Sequence, residues 1–320
     1  MTDPMMSTLP TTETGGGVVP GAAGPGAAGA EERKERSASL WADAWRDLRK
    51  NVVFLISCFI ILVIGSMALF PKLWTSQDPQ ACHPRYSKLP PSWEHPFGYS
   101  VTGCDYYAQA IHGARPSLTI AILATIGILL VGGTLGILAG FYGGWLDAII
   151  SRITDIFFSL PFLLGAIVFL SLLKPNEPAA QVASITGVLI VLGWVTIARI
   201  TRGSVIATRA LDYVQAARAL GASNARLMFR HILPNAVAPA IVVATIALGS
   251  FVSAEATITF IGVGLRAPAV SWGTMIATHQ QYINSDPWLL AFPGGLLVAT
   301  VLAFILAGDA LRDALDPRLR

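Results

Sequence analysis

The residues able to do chemistry are few, and their spacing limits what they can do. Cys82, His83, His95, Cys104 and His112 fall in one polar stretch and carry the nitrogen and sulfur donors that zinc prefers. Their intervals are irregular and contain no CxxC, so the stretch is read as holding no metal. Cys82 and Cys104 share a segment that the charge pattern places outside the cell, where a disulfide is permitted; Cys58 sits apart in an apolar run. Glu255 is an ionisable group inside another long apolar run. There it is a candidate for contact with a passing solute, with an external vestibule or a partner helix as the other ways to satisfy it. Arg199 and Arg202 close a third run, either as anchors at the membrane surface or as the lining of a pore mouth. Hydrolytic chemistry finds no support, since no G-x-S-x-G elbow occurs. No G-x-x-x-x-G-K-[ST] occurs either, and no lysine follows a glycine, so a phosphate-cradling loop is excluded. No catalytic residue is assigned.

Positioning these groups falls to long apolar segments. Hydrophobic residues make up 53% of the 320-residue chain and charged ones 13%, well below the roughly 25% of a soluble domain. A net charge of +3 is too small for a dedicated nucleic-acid binder. With about 20 apolar residues needed to cross a bilayer core, six spans are predicted, over 52–70, 118–141, 149–173, 182–200, 236–262 and 289–307. If the N-terminus is inside, 16 of the 22 Lys and Arg face the cytoplasm and 6 face out. Both termini and the stretch 203–235 are thereby expected in the cytoplasm, and the loop 71–117 outside. The first span starts too far into the chain, with no small-residue cleavage site after it, and reads as an uncleaved anchor.

Residues 1–37 are rich in Gly, Ala, Pro, Ser and Thr and are expected to be a disordered tail. In 38–51, Leu40, Trp41, Ala44, Trp45 and Leu48 share one helical face with charges around the rest, as in a helix lying at the membrane surface. The six-span membrane region then runs over 52–310. Gly132, Gly136 and Gly140 recur at i, i+4, i+8 and offer a smooth stripe for another helix. Asp155 is expected to pair with Arg152 one turn earlier. Met275 to Tyr282 suit a short outer helix. In the cytoplasmic tail 311–320, Asp309 and Asp316 lie within reach of Arg312.

The stretch "DYVQAARALGASNARLMFRHILPN", 212–235, interrupts the apolar runs with a polar, basic pattern. Asp212 with Gln215 three residues on is a capping-box-like start. Gly221 supplies a left-handed residue to end that helix. Ser223 can cap a second helix from Asn224 to about Leu233, stopped by Pro234. Two short helices and a glycine joint make a compact knob, and Ala216 and Ala217 leave its surface flat enough for another protein to approach. The plainer reading is a solvated loop returning the chain to the membrane.

Gln215-Ala216-Ala217, then Gly221 and Leu233-Pro234 at this spacing, resembles the EAA loop of ABC-importer permeases, with Gln215 for the usual Glu and His231 for Ile. "GARPSLTIA", "GILAGFYGGWLD", "RITDIFFSLP", "ARITRG", "EATITFIGVG", "SWGTMI", "DPWLLAFPG" and "GDALRDALDPR" resemble, in order, the second, C-type membrane subunit of dipeptide and oligopeptide importers. The segment "GCDYYAQAI" departs from the family pattern. The resemblance implies an all-α membrane protein of six transmembrane helices in a bacterial cytoplasmic membrane. It implies a coupling helix in which Asp212, Tyr213, Gln215, Ala216, Ala217, Gly221, Arg226, His231 and Pro234 meet an ATPase. The implied partners are a homologous second permease, two ATPase subunits or domains, an external substrate-binding protein and membrane lipid; ATP and Mg would be bound by the ATPases, with no cofactor in this chain. The alternatives are the same machine with nickel, haem or glutathione as cargo, or a secondary transporter or channel without ATPases.

Overall fold

The computed structural model describes residues 40–173 and 175–315. The tail predicted over 1–37, together with Lys174, Asp316, Arg318 and Arg320, lies outside the described residues.

Apolar segments with no access to water must satisfy their backbone internally, and helices do so. Twelve are present among the described residues: α1 (Leu40–Leu48), α2 (Val52–Leu69), α3 (Tyr106–Tyr142), α4 (Gly144–Ser159), α5 (Phe162–Leu173), α6 (Pro178–Arg209), α7 (Asp212–Ala219), α8 (Asn224–Arg226), α9 (Leu233–Ala236), α10 (Ala238–Phe260), α11 (Trp272–His279) and α12 (Trp288–Leu315). Among them α2, α3, α6, α10 and α12 are each long and apolar enough to cross a membrane.

The core is built on α3 and α6. Gly132 lies against Trp194 and Ile197, Gly136 against Ala198 and Thr201, and Gly140 against Arg202 and Val205. Rising numbers on α3 meet rising numbers on α6, so the two helices run parallel, and the chain must cross the bundle between them. That return is made by α4 and α5. Asp147 meets Arg202 and Asp155 meets Arg199, so α4 is antiparallel to α6. Gly165 on α5 then packs on Leu192, still descending α6.

The third predicted span is therefore corrected: it is broken, with α4 and α5 bent by 87°. Pro161 is the cause. Its ring disfavours helical geometry at the residue before it, and Leu160 is extended, at φ −79° and ψ 125°. A second correction concerns Asp155, whose carboxylate takes Arg199 Nη2 at 2.7 Å rather than Arg152. The side chain on an adjacent helix offers a direct, aligned pair that a one-turn neighbour does not.

At one end of the bundle, α1 lays Ala44 and Leu48 on Ala310 and Ala314 of α12, leaving Trp45 exposed. At the other end, the loop before α3 is folded rather than trailing. Cys82 and Cys104 are joined as a disulfide. His95 Nδ1 lies 2.5 Å from Asp105 Oδ2, and Tyr99 hydroxyl 2.8 Å from His95 Nε2. The other oxygen of Asp105 accepts from Ala108 N and caps α3. The loop is thus tied to the first turn of the longest helix.

Candidate functional site

The stretch 212–235 forms a knob on the ends of α3 and α6. Val214, Leu227, Ile232 and Ala236 bury themselves with Phe141 of α3 and Val205 of α6, and Ala217 packs at the edge. Arg209 adds a bond from Nη1 to Phe141 O at 2.6 Å. A load placed on the knob therefore reaches the core pair through apolar contact, at a point where Arg209 ties the ends of α3 and α6 together.

Its local structure differs from the sequence reading in two places. Asp212 is the first helical residue and not the cap; Leu211 holds the cap position, with no side-chain bond there. Gln215 turns away from the backbone it was expected to close and donates to Arg209 O at 2.8 Å. Asp212 still serves the helix, as a carboxylate in the first turn facing the positive end of the dipole. Second, Pro234 does not stop the chain. Leu227–Ile232 widens into a π-helical turn, in which Leu233 N–H reaches Met228 O, and α9 continues through Pro234. A proline cannot donate and crowds the carbonyl four residues back; the wider turn relieves both. It also places Leu227 and Ile232, five apart, in the same buried cluster.

The expected joint is present: Gly221 has φ +83°. Ser223 accepts from Arg226 N at 3.4 Å. Tyr213 hydroxyl donates to His231 O, and Asn235 Nδ2 donates to both, clipping α7 to the start of α9. The knob presents apolar side chains outward among charged ones: Leu220 is 88% exposed and Phe229 65%, with Leu211 and Tyr213 beside exposed Ala216, and Asp212, Arg218, Arg226 and Arg230 are exposed around them. Phe229 was not singled out in the sequence, and Leu220, expected on one face with Val214 and Ala217, is exposed where Val214 is buried.

A second feature is a cavity of about 560 Å³ against the α4–α5 break. Phe157, Phe158 and Phe162 form one wall, and α10 supplies hydroxyls from Ser250, Ser253 and Thr257, with Thr196 from α6. The hydroxyls fall at i, i+3 and i+7 on α10, a one-face spacing readable in the sequence. Glu255, Arg199 and Arg202 are not among the residues lining this cavity. Glu255 is fully buried on the other side of α10, held by three hydroxyls. Arg202 makes a two-toothed pair with Asp147, at 2.5 and 2.7 Å. Arg199 and Arg202 line a separate recess of about 460 Å³ with Asp155.

A multi-pass helical membrane protein with a compact knob seated on the ends of α3 and α6 is what this fold and site define. Residues 132–320 match the family described as "Binding-protein-dependent transport system inner membrane component", and residues 39–91 match the "N-terminal TM domain of oligopeptide transport permease C". The chain is 37% identical over 289 residues to the "Dipeptide transport system permease protein DppC" of Alkalihalophilus pseudofirmus, covering 90% of this chain and 93% of that one. It is 36% identical over 291 residues to the "Oligopeptide transport system permease protein OppC" of Bacillus subtilis, covering 91% and 94%. The structure is similar to that titled "Inward facing conformations of the MetNI methionine ABC transporter: CY5 native crystal form", with TM-score 0.51 and 20% identity over 64% of this chain and 96% of that chain. This chain belongs to the family of binding-protein-dependent transport system inner membrane components, the permease subunits of ABC importers.

Proposed function

We propose that the chain is one of two membrane-spanning subunits of an importer for dipeptides or oligopeptides, resident in a bacterial cytoplasmic membrane with both termini and the knob inside. The observation that carries this reading is the knob itself, an exposed apolar cap of Leu220, Phe229 and Tyr213 rigidly seated on α3 and α6. Such a patch needs a cover. The partner is an ATPase subunit, one beneath each permease, which binds ATP and Mg and supplies the hydrolysis; this chain is not catalytic. An external binding protein delivers the peptide.

The cavity at the α4–α5 break faces the homologous second permease and forms one wall of the path. Aromatic faces and hydroxyls, with no charged side chain among its lining residues, suit a peptide backbone of varied sequence better than one charged cargo. A glutathione reading has one observation in its favour. The "Glutathione transport system permease protein GsiD" of Pectobacterium atrosepticum is 32% identical over 283 residues.

The test is uptake of labelled di-, tri- and pentapeptides and of glutathione into vesicles carrying the reconstituted complex. Peptide accumulation that requires ATP inside and binding protein outside is expected. Transport without either, or of glutathione alone, refutes the peptide-importer reading.

A further inference from the structure

Glu255 is the one fully buried acid among the described residues, and the cavity does not use it. Its surroundings have a definite order. Ser117 Oγ of α3 donates to Oε2 at 2.9 Å. Thr259 Oγ1, one turn on in α10, and Ser271 Oγ both donate to Oε1 at 3.0 Å. Each of the last two hydroxyls has a second task. Thr259 Oγ1 accepts from Leu265 N at 3.2 Å, holding the turn that leaves α10. Ser271 Oγ accepts from Thr274 N at 3.2 Å, capping α11. A hydroxyl has one proton, so giving it to the carboxylate leaves the lone pairs aimed at those backbone donors. Glu255 therefore sets the direction of both contacts.

The contacts decide where α11 begins. Its first turn is pressed onto α3 and α10: Gly273 lies so near Ala256 that an added methyl would come within 2.9 Å of its Cα, and Trp272 Nε1 donates to Ala110 O at 3.0 Å. Beyond that turn, Thr274, Met275, Thr278 and His279 form one wall of a cleft of about 400 Å³, faced by Cys82, Ser100 and Gln109 among others. The cleft opens at the end of the bundle away from the knob.

We infer that Glu255 is the positioning residue of this outer face: through the hydroxyls of Ser117, Thr259 and Ser271 it fixes the start of α11, and α11 presents the cleft on which the external binding protein engages. The inference rests on the importer reading, which puts this end outside. It assigns Glu255 to the docking face and not to the path.

The experiment uses the complete complex in lipid nanodiscs and reads ATP hydrolysis against the concentration of peptide-loaded binding protein. In Glu255→Gln the amide oxygen keeps the Thr259 and Ser271 bonds, and Ser117 can turn to accept from the amide. Its half-saturating concentration stays at the wild-type value. Glu255→Leu fills the space but strands three hydroxyls; half-saturation rises about tenfold, as expected for losing hydrogen bonds to a charged group, while basal hydrolysis is unchanged. Ser271→Ala shifts half-saturation in the same direction by less. A wild-type half-saturation in Glu255→Leu overturns the inference, as does Glu255→Gln failing alongside it. Should Glu255→Leu not assemble, Ser271→Ala decides, and no shift there overturns the inference. A wild-type complex whose hydrolysis ignores the binding protein refutes the importer reading and carries this inference down with it. A responsive wild type with an equally responsive Glu255→Leu refutes the inference alone.

Discussion

Adding one methyl group at Gly136, and one at Gly133 beside it, separates close helix packing from helix propensity. A Cβ at Gly136 would stand 2.6 Å from Ala198 O, 2.8 Å from Thr201 Cβ and 3.1 Å from Arg202 N. A carbon rests against a carbonyl oxygen at roughly 3.3 Å, so α3 and α6 must part by about 0.7 Å at that level. Neither backbone can rotate away, because Gly132 and Gly140 are pressed on the same helix one turn to each side. Overpacking of this kind costs about 1–3 kcal/mol, and opening the seam also forfeits contacts along it. At Gly133 a Cβ meets nothing within 4 Å, so Gly133→Ala gains helix propensity, up to about 1 kcal/mol. The two variants differ by one methyl three residues apart, yet are expected to move in opposite directions. The assay is the apparent thermal midpoint of the complex in nanodiscs, at one scan rate. At roughly 2–4 °C per kcal/mol, Gly136→Ala is expected to fall by several degrees and Gly133→Ala to hold or rise. Equal midpoints for the two would refute the reading of α3 and α6 as the rigid pair of the core.

Three further outcomes follow from other parts of the molecule. At the knob, Gly221→Val forces a β-branched residue to φ +83°, and Leu220→Asp charges the most exposed apolar side chain there; both are expected to lower ATPase attachment or uncouple hydrolysis from uptake while membrane levels hold, and normal uptake with normal hydrolysis in both would make the knob a mere connection. Ser223→Cys and Ser87→Cys, in a background without native cysteines, are expected to react oppositely with an impermeant reagent on intact cells, Ser87→Cys alone labelling from outside. Burial pushes the His279 imidazole below its ordinary value, where it faces Met275 O, Tyr106 hydroxyl and Val101 N–H. Its neutral form is the folded one, so the stability it contributes is present above about pH 6.5 and is lost as pH falls below that; His279→Gln is expected to flatten the acid side of the stability curve, and an unchanged slope would refute this.

What could be read ahead of the structure, and what could not, divides by sequence distance. The apolar runs marked the segments that could cross, although α3 begins at Tyr106, α6 ends at Arg209 and α12 ends at Leu315, well beyond the predicted bounds; the glycine stripe on α3 announced a close partner, because both are periodic properties of one segment. Gly221 was equally local: a glycine after an eight-residue helix has few other uses. Pro161 was not singled out, since proline inside an apolar run is compatible with a kink or a break alike. The partner of Asp155 lies 44 residues on, and one of Glu255 lies 138 residues back. No local pattern names such neighbours. The π turn before Pro234 was hidden for a related reason, as it answers to the buried cluster beneath the knob as well as to the proline.

The 87° bend has a consequence for hydration. A 12-residue helix such as α5 is about 18 Å long, and the 16 residues of α4 reach about 24 Å, so neither alone covers a core of roughly 30 Å. The bend must sit at membrane depth, where exposed backbone is tolerated only against protein or water. Leu160 and Phe162, on either side of Pro161, both line the 560 Å³ cavity. On the proposed path, water beside the Ser250, Ser253 and Thr257 hydroxyls of that cavity would serve backbone carbonyls freed at the bend. A peptide arriving from outside would then exchange one set of hydrogen bonds for another and would not have to shed its hydration in a single step.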